Sequence, residues 1–260
     1  MHANSFTFAG VTAPLLVRGQ GPALVLLHGS ADSPQAWAAT LALLAADFEV
    51  FAPALPPLSP DTDLALDHDL PWLSALIAHT GARLLAGHSY GALLALRWAL
   101  AHPEALDGLL LAEPIAWGVI RDDVAVAGTL HDLKQRCVAR FAQGDPETAL
   151  HWLVDYWNGA GFWRGLPQRV QLALVAGAQR TSAEVRSGDA DRTDRTELAG
   201  LQLRTQVLAG ALSTQESLQL AGALREGIAG AELTVIPDAG HQFLRSHAEV
   251  VAKAVRALLV

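Results

Sequence analysis

Ser89 lies between two glycines in Gly87-His88-Ser89-Tyr90-Gly91. A G-x-S-x-G run is common by chance and gains meaning from what flanks it. Where a strand precedes and a helix follows, the serine sits on a sharp turn that lifts its hydroxyl above the sheet. Here the apolar stretch Arg83–Ala86 reads as the strand. Tyr90–His102, apolar almost all round and followed by Pro103, reads as the helix. Gly87 and Gly91 would give such a turn the room that larger side chains deny it. Ser89 would then stand at a helix N-terminus, where the Tyr90 backbone N–H faces a developing oxyanion. The alternative is a glycine-flanked turn with no special role.

Two further segments fit the same chemistry. His28-Gly29-Ser30 ends the apolar run Ala23–Leu27. An oxyanion needs a second N–H donor, and a loop in this place can supply it. Ser30, through its backbone, is the expected donor; a register shift of one would make it Gly29. A simple strand-ending turn is the plainer reading. The other segment is Pro237-Asp238-Ala239-Gly240-His241, which follows Glu232–Ile236. A histidine in the loop after the last strand can reach a nucleophile at a neighbouring strand end. Its free pKa of about 6.5 suits a base that must later return the proton. The chain has 10 histidines. His68, His79, His88, His102, His131, His151 and His247 have no such setting and read as structural or exposed.

The elements that must position these residues follow from apolar patterning. Ser5–Ala9 and Leu15–Arg18 read as a hairpin. Ala23–Leu27, Glu49–Ala52, Arg83–Ala86, Leu106–Ala112, Gln206–Ala209 and Glu232–Ile236 read as further strands. Continuous apolar runs such as ALVLL mark strands covered on both faces. Between them Pro34–Ala46, with Ser33 as N-cap and Pro34 at the first helical position, has helical spacing. So do Asp67–Thr80, Tyr90–His102, Thr214–Glu226 and Ser246–Leu259. Pro53, Pro56, Pro57 and Pro60 force an irregular loop. From Ile115 to Leu201 the periodicity is helical, with no convincing strand. The charged stretch Ser187–Glu197 reads as a solvated loop or helix end. Alternating strands and helices imply a parallel sheet with helices on both faces. The helical segment is then an insertion at the carboxyl end of the sheet, where open α/β sheets bind ligands.

The His-Gly loop, GHSYG and PDAGH, in this order and spacing, resemble the α/β-hydrolase superfamily. The resemblance covers the organisation of essentially the whole chain. It implies an α/β fold with a mostly parallel eight-stranded sheet flanked by helices. It also implies a core domain of residues 1–114 and 202–260 and a helical cap or lid of residues 115–201. Ser89 would be the nucleophile, His241 the general base, and Ser30 and Tyr90 the oxyanion hole.

One departure matters. In that superfamily the triad acid usually follows the next-to-last strand in a G-x-x-D turn. This chain reads Gly210-Ala211-Leu212-Ser213 there. A hydroxyl at 213 could accept a hydrogen bond from His241 but could not stabilise an imidazolium by charge. The replacement is Glu113, at the end of the Leu106–Ala112 strand and followed by Pro114. Zearalenone lactonases, which the chain resembles in both respects, carry a Glu turn here and a non-acidic turn where Asp is usual. A structural carboxylate is the alternative for Glu113. Asp238 is a rival by proximity, although such a turn residue more naturally shapes the loop. The carboxylates of Ser187–Glu197 would need an unusual cap to reach inward.

The expected reaction is acyl transfer to water by a serine hydrolase, on a medium-sized, largely apolar carboxylic ester or lactone. It needs no metal or organic cofactor. Trp117, Trp152, Tyr156, Trp157 and Trp163, with Phe141 and Phe162, either form the cap's own core or partly line an acyl pocket. A carbon–carbon bond hydrolase or hydroxynitrile lyase would use the same triad, and a non-catalytic ligand receptor could keep the fold. A dehalogenase or epoxide hydrolase would carry Asp at the position of Ser89.

Composition bounds the rest. Apolar residues make up 51% and charged residues 17% of the 260, enough for a large core. The formal net charge of −8 argues against nucleic acid and anionic membrane surfaces as partners. The expected partner is a small molecule, and the chain is expected to be a monomer or homodimer. The single cysteine, Cys137, cannot form an internal disulfide and reads as a small buried side chain. Met1–Gly10 lacks a basic, then apolar, leader pattern. No stretch approaches the roughly 20 apolar residues of a membrane span. Cytoplasmic location is the expectation.

Overall fold

A computed structural model describes residues 3–59 and 61–259. Met1, His2, Pro60 and Val260, which fall in the leader, proline-loop and C-terminal readings above, lie outside the described residues. The chain forms one eight-stranded sheet in the order β1-β2-β4-β3-β5-β6-β7-β8. The strands are β1 (Ala3–Phe8), β2 (Val11–Arg18), β3 (Ala23–Leu27), β4 (Glu49–Pro53), β5 (Leu84–His88), β6 (Gly108–Ala112), β7 (Arg204–Gly210) and β8 (Glu232–Ile236). β1 and β2 form an antiparallel hairpin, and β2 pairs antiparallel with β4. The other pairings are parallel.

The helices are α1 (Ala38–Leu44), α2 (Ala65–Thr80), α3 (Tyr90–Ala101), α4 (Val124–Ala142), α5 (Pro146–Asn158), α6 (Phe162–Gly165), α7 (Gln168–Ala176), α8 (Ala178–Ala190), α9 (Arg195–Ala199), α10 (Gln215–Gly227) and α11 (Ala248–Arg256). The expected helix 34–46 begins instead as a 3-10 turn over Pro34–Trp37, and the Ser33 side chain makes no cap hydrogen bond. The single helix expected to Leu259 likewise tightens to 3-10 geometry after Arg256.

The central strands read as continuous apolar runs because each face of the sheet has its own helical cover. Along β3, Leu24 and Leu26 join Trp37, Leu41, Leu44, Val251 and Val255 beneath α1 and α11. Val25 and Leu27 face the other way, with Leu73, Leu76, Leu93 and Leu224 of α2, α3 and α10. At about 25 cal/mol per Å² of apolar area, two such faces supply the main driving force for folding.

Helices α4 to α9 and a 3-10 turn (Trp117–Ile120) leave the sheet after β6 and return at β7. This segment has small cores of its own. Cys137, Ala149 and Leu153 form one, and Leu150, Trp163 and Ala178 another. Burial pushes the Cys137 thiol up to about 12, as suits an inert core residue.

The charged stretch Ser187–Glu197, expected as a solvated loop or helix end, holds the end of α8 and the start of α9, and only part of it is solvated. Ser187, in the last turn of α8, is buried, as are Asp191 and Thr193. Asp191 accepts hydrogen bonds from the Gly118 N–H at 2.9 Å and the Thr193 hydroxyl at 2.8 Å. Asp194 and Glu197 form a capping box at the start of α9. Local charge density suggested solvent. The charges instead satisfy backbone donors at element ends, where an unpaired buried N–H is costly.

Candidate active site

β5 and α3 meet at Ser89, whose φ is 54° and ψ −118°. A serine pays strain for this conformation, which persists only where the surroundings over-determine it. Here they do. A Cβ on Gly87 would lie 2.2 Å from the Gly91 carbonyl oxygen, and one on Gly91 would lie 2.5 Å from the Leu27 and His28 carbonyl oxygens. On the facing loop a Cβ at Gly29 would meet Ser89 Cβ at 2.9 Å. The three turn glycines expected from sequence therefore permit backbone approaches that any side chain would block. The Ser89 N–H is held by the Ala112 carbonyl at 2.9 Å.

The Ser89 hydroxyl donates to His241 Nε2 across 3.1 Å, and His241 Nδ1–H donates to Glu113 Oε2 across 2.9 Å. All three residues are buried. Glu113 stands one residue past β6 with φ 48°, its N–H fixed by the Leu208 carbonyl at 2.9 Å. Its other oxygen, Oε1, accepts the Gly210 N–H and the Ser213 hydroxyl, each at 2.7 Å. Burial pushes the Glu113 pKa up. Hydrogen bonding and charge from His241, with the Gly210 and Ser213 donors, outweigh that and hold the group below the usual carboxylate range. Asp238, the rival carboxylate, is an exposed turn residue with φ 56°.

His88 is fully buried behind His241. Its Nε2–H donates to the His241 carbonyl at 2.8 Å. Burial and the neighbouring imidazole lower its pKa to about 3. It is therefore neutral, and its role is to hold the loop that carries His241. His28 does the same for the loop after β3. Its Nδ1–H donates to the Gly29 carbonyl at 2.8 Å, and its Nε2 accepts the Leu55 N–H at 3.0 Å. Desolvation lowers its pKa despite the Gly29 bond. Sequence reading treated His88 as bland and gave His28 no separate part; only the packing partners separate loop-locking imidazoles from idle ones.

The Ser30 and Tyr90 backbone N–H groups have no acceptor among the described residues, and Ser30 and Ser89 border the same cavity. Free donors beside a hydroxyl, an imidazole and a carboxylate can support nucleophilic attack on a carbonyl.

That cavity is about 380 Å³, mostly apolar, and runs from Ser89 and His241 into the inserted helices. Of the aromatic residues named from sequence, Trp117 and Trp157 line it. Trp157 stacks on the His241 imidazole with centroids 4.3 Å apart and planes 22° apart, and Trp117 stacks behind it at 5.9 Å. Trp152, Tyr156 and Trp163 do not line it. Trp152 packs with Cys137 and Leu153, and the Arg136 guanidinium sits 4.5 Å over its ring. Trp163 is buried with Leu150 and Ala178. Tyr156 meets Trp157 edge-on at 4.7 Å. Within α5, Trp152 and Tyr156, four positions apart, share a side of the helix, while Trp157 lies about 100° further round and reaches the cavity, which a list of aromatic residues cannot reveal. Aliphatic side chains supply much of the lining, including Leu130, Leu153 and Leu174, together with Phe162.

Comparison with known proteins agrees with this fold. A model of the alpha/beta hydrolase family matches residues 24–254. A protein from Aromatoleum aromaticum named pimeloyl-[acyl-carrier protein] methyl ester esterase is 29% identical over 88% of this chain and 94% of its own. A protein of the same name from Aeromonas hydrophila is 36% identical, over 40% of this chain and 42% of its own length. Among solved structures, an enol-lactonase from Burkholderia xenovorans superposes with TM-score 0.77 at 19% identity, covering 98% of this chain and 99% of that one. A thermophilic esterase from Thermogutta terrifontis gives TM-score 0.76 at 22% identity, with 99% and 96% coverage. The matched span, the sheet order and the converging loops agree: the chain belongs to the alpha/beta hydrolase family.

Proposed function

We propose that this chain is a serine hydrolase that cleaves a carboxylic ester or lactone through an acyl-enzyme. The observation that carries this reading is the unbroken hydrogen-bond chain from Ser89 through His241 to Glu113. His241 takes the Ser89 proton as the hydroxyl attacks the ester carbonyl. The Ser30 and Tyr90 N–H groups receive the oxyanion. His241 then protonates the leaving alcohol. A water activated by the same imidazole releases the acyl group. Glu113 fixes the imidazole with its proton on Nδ1 and stabilises the imidazolium by charge. The curated relatives named as methyl ester esterases support an ester as substrate.

We read residues 115–201 as a cap over a core of residues 1–114 and 202–260. The cap would choose the substrate, because the cavity beside Ser89 is walled mostly by its apolar side chains. A small-molecule ester with a medium-sized apolar acyl or alcohol group fits this lining. Among the described residues no helix is long and apolar enough to cross a membrane.

The test is a series of p-nitrophenyl esters with rising acyl length. A rapid burst of p-nitrophenol is expected, with a fluorophosphonate labelling Ser89 stoichiometrically. Ser89→Ala should lose about 10⁶-fold in kcat. Absence of turnover and of labelling by the intact protein would overturn the reading.

A further inference from the structure

The buried charged groups that the hydrogen-bonded triad does not use gather at one place. Asp69 of α2 and Glu184 of α8 are both buried, and the Arg180 guanidinium lies between them. Arg180 Nη2 donates to Asp69 Oδ2. Its Nε is 2.8 Å from Glu184 Oε1, and a further N–H reaches the Pro56 carbonyl. The cluster ends at the segment that carries the free Tyr90 N–H donor. The Tyr90 hydroxyl donates to Asp69 Oδ2 at 2.8 Å, with the Arg180 guanidinium 5.9 Å from the centre of its ring. Burial opposes the ionised form of Glu184, and the Arg180 charge beside it favours that form.

Such a cluster is an expensive way to stabilise a fold, since burying ions costs several kcal/mol each and apolar groups of similar size often do as well. It is better explained by what it holds. α8 already docks on the core through bonds that touch neither donor segment. Ser187 Oγ accepts the Leu66 N–H at 3.2 Å, Arg186 Nε donates to the Asp63 carbonyl at 2.9 Å, and Gln179 Nε2 donates to the Ser59 carbonyl at 2.8 Å. The charged cluster adds a grip on the Tyr90 side chain through Asp69.

We propose that Arg180, braced by Glu184, is a positioning residue for the oxyanion hole, holding Tyr90 through Asp69, so that the Tyr90 N–H reaches its working position only with α8 docked. Neither residue touches the reacting atoms. The Tyr90 side chain is tied to the Asp69 carboxylate, and one guanidinium bridges Asp69 and Glu184. A helix that walls the substrate cavity therefore also sets a group that stabilises the transition state. This proposal rests on the acyl-transfer reading with Ser30 and Tyr90 as donors.

Displacing such a donor by a fraction of its bond length should weaken transition-state binding and spare ground-state binding. Losing a donor outright costs about 10²–10³-fold in kcat, and misplacement by about 1 Å costs up to about 10²-fold. The experiment compares Glu184→Gln and Arg180→Lys with the intact protein, on a p-nitrophenyl ester and on an alkyl boronic acid that forms a tetrahedral Ser89 adduct. We expect kcat to fall about 10–100-fold and boronate affinity to fall in parallel, with KM within about twofold. Arg186→Gln, which loosens α8 without touching the cluster, should keep normal kcat. Arg180→Lys retains the charge and covers the case in which Glu184→Gln does not fold. Unchanged kcat in a folded variant, a loss carried by KM, or an equal loss in Arg186→Gln would overturn the proposal. Failure of fluorophosphonate to label Ser89 in the intact protein would instead overturn the acyl-transfer reading beneath it.

Discussion

Ser213 donates its hydroxyl proton to Glu113 Oε1 across 2.7 Å. The residue in the turn after β7, where a relative would carry the acid, here solvates an acid that comes from β6. The two strands are adjacent and parallel, with Ala112 opposite Leu208. A carboxylate one residue past the end of β6 can therefore reach the imidazole that one past β7 would otherwise serve. The neighbouring turn remains as a cradle of two donors, the Gly210 N–H and the Ser213 hydroxyl.

The first prediction separates acid from cradle. Glu113→Gln should lower kcat by about 10³–10⁴-fold, because an amide cannot stabilise the imidazolium by charge. Ser213→Ala removes one hydrogen bond to a charged group, worth about 1.5 kcal/mol, so kcat should fall only about tenfold. Glu113→Gln combined with Ser213→Asp should recover part of the activity, since it returns a carboxylate to the same imidazole from the next strand. Steady-state kinetics on one ester measures all three. Near-normal turnover in Glu113→Gln would remove Glu113 from the mechanism.

Trp157 and Trp163 should differ in kind. Trp157 stacks on His241 and walls the cavity. Trp157→Ala should lower kcat/KM by about 3–10-fold, in line with an aromatic pair worth about 0.5–1.5 kcal/mol. It should also flatten the dependence on acyl length. Trp163 is in the core of the insertion, away from the cavity. Trp163→Ala should cost about 3–5 kcal/mol of stability by leaving a hole. Denaturant titration beside the acyl-length series distinguishes the two.

Gly87→Ala tests the turn. The added methyl would lie 2.2 Å from the Gly91 carbonyl oxygen and 2.4 Å from its carbon. Both are backbone atoms at the start of a buried helix and cannot swing aside. The substitution should cost about 3 kcal/mol or more, read as a lower urea midpoint. Serine labelling should be lost in whatever fraction remains folded. An unchanged midpoint would mean that the turn is far more pliable than its geometry implies.

The buried imidazoles set a pH dependence of stability. His88 is held neutral with a pKa of about 3, and burial lowers His28 as well. In the unfolded chain each takes up a proton near pH 6.5. Between about pH 6.5 and 3 the unfolded state therefore binds more protons, and stability falls as pH falls. The slope is up to about 1.4 kcal/mol per pH unit for each such group. Glu113 acts in the same direction at lower pH. Its folded pKa is depressed, so its contribution is complete above the ordinary carboxylate value and is lost as pH drops through the folded one. Urea unfolding from pH 7 to 4 should show this decline. His88→Gln, which can still donate to the His241 carbonyl, should show a shallower one.

The sequence by itself determined the sheet, the turn at Ser89 and the order of the candidate site residues. Continuous apolar runs at β3, β5 and β6, short and bounded by turn residues, read as strands covered on both faces. Glycines at 29, 87 and 91 stand where backbones approach too closely for a Cβ. Ser89, Glu113 and His241 could be named because each ends or follows a recognisable strand, and strand ends of a parallel sheet share one rim. Tertiary structure decided what depends on direction and on distant partners. It decided which faces of α5 present Trp157 to His241 and turn Trp152 and Tyr156 away. It turned the charges of the 187–197 stretch toward backbone donors. It brought Arg180 beside Asp69 and Tyr90, which lie about 110 and 90 positions earlier in the chain. The physical reason is that local periodicity records how a segment meets the nearest core. A buried charge records only that a partner exists, and the partner's place in the chain is set by how the elements pack.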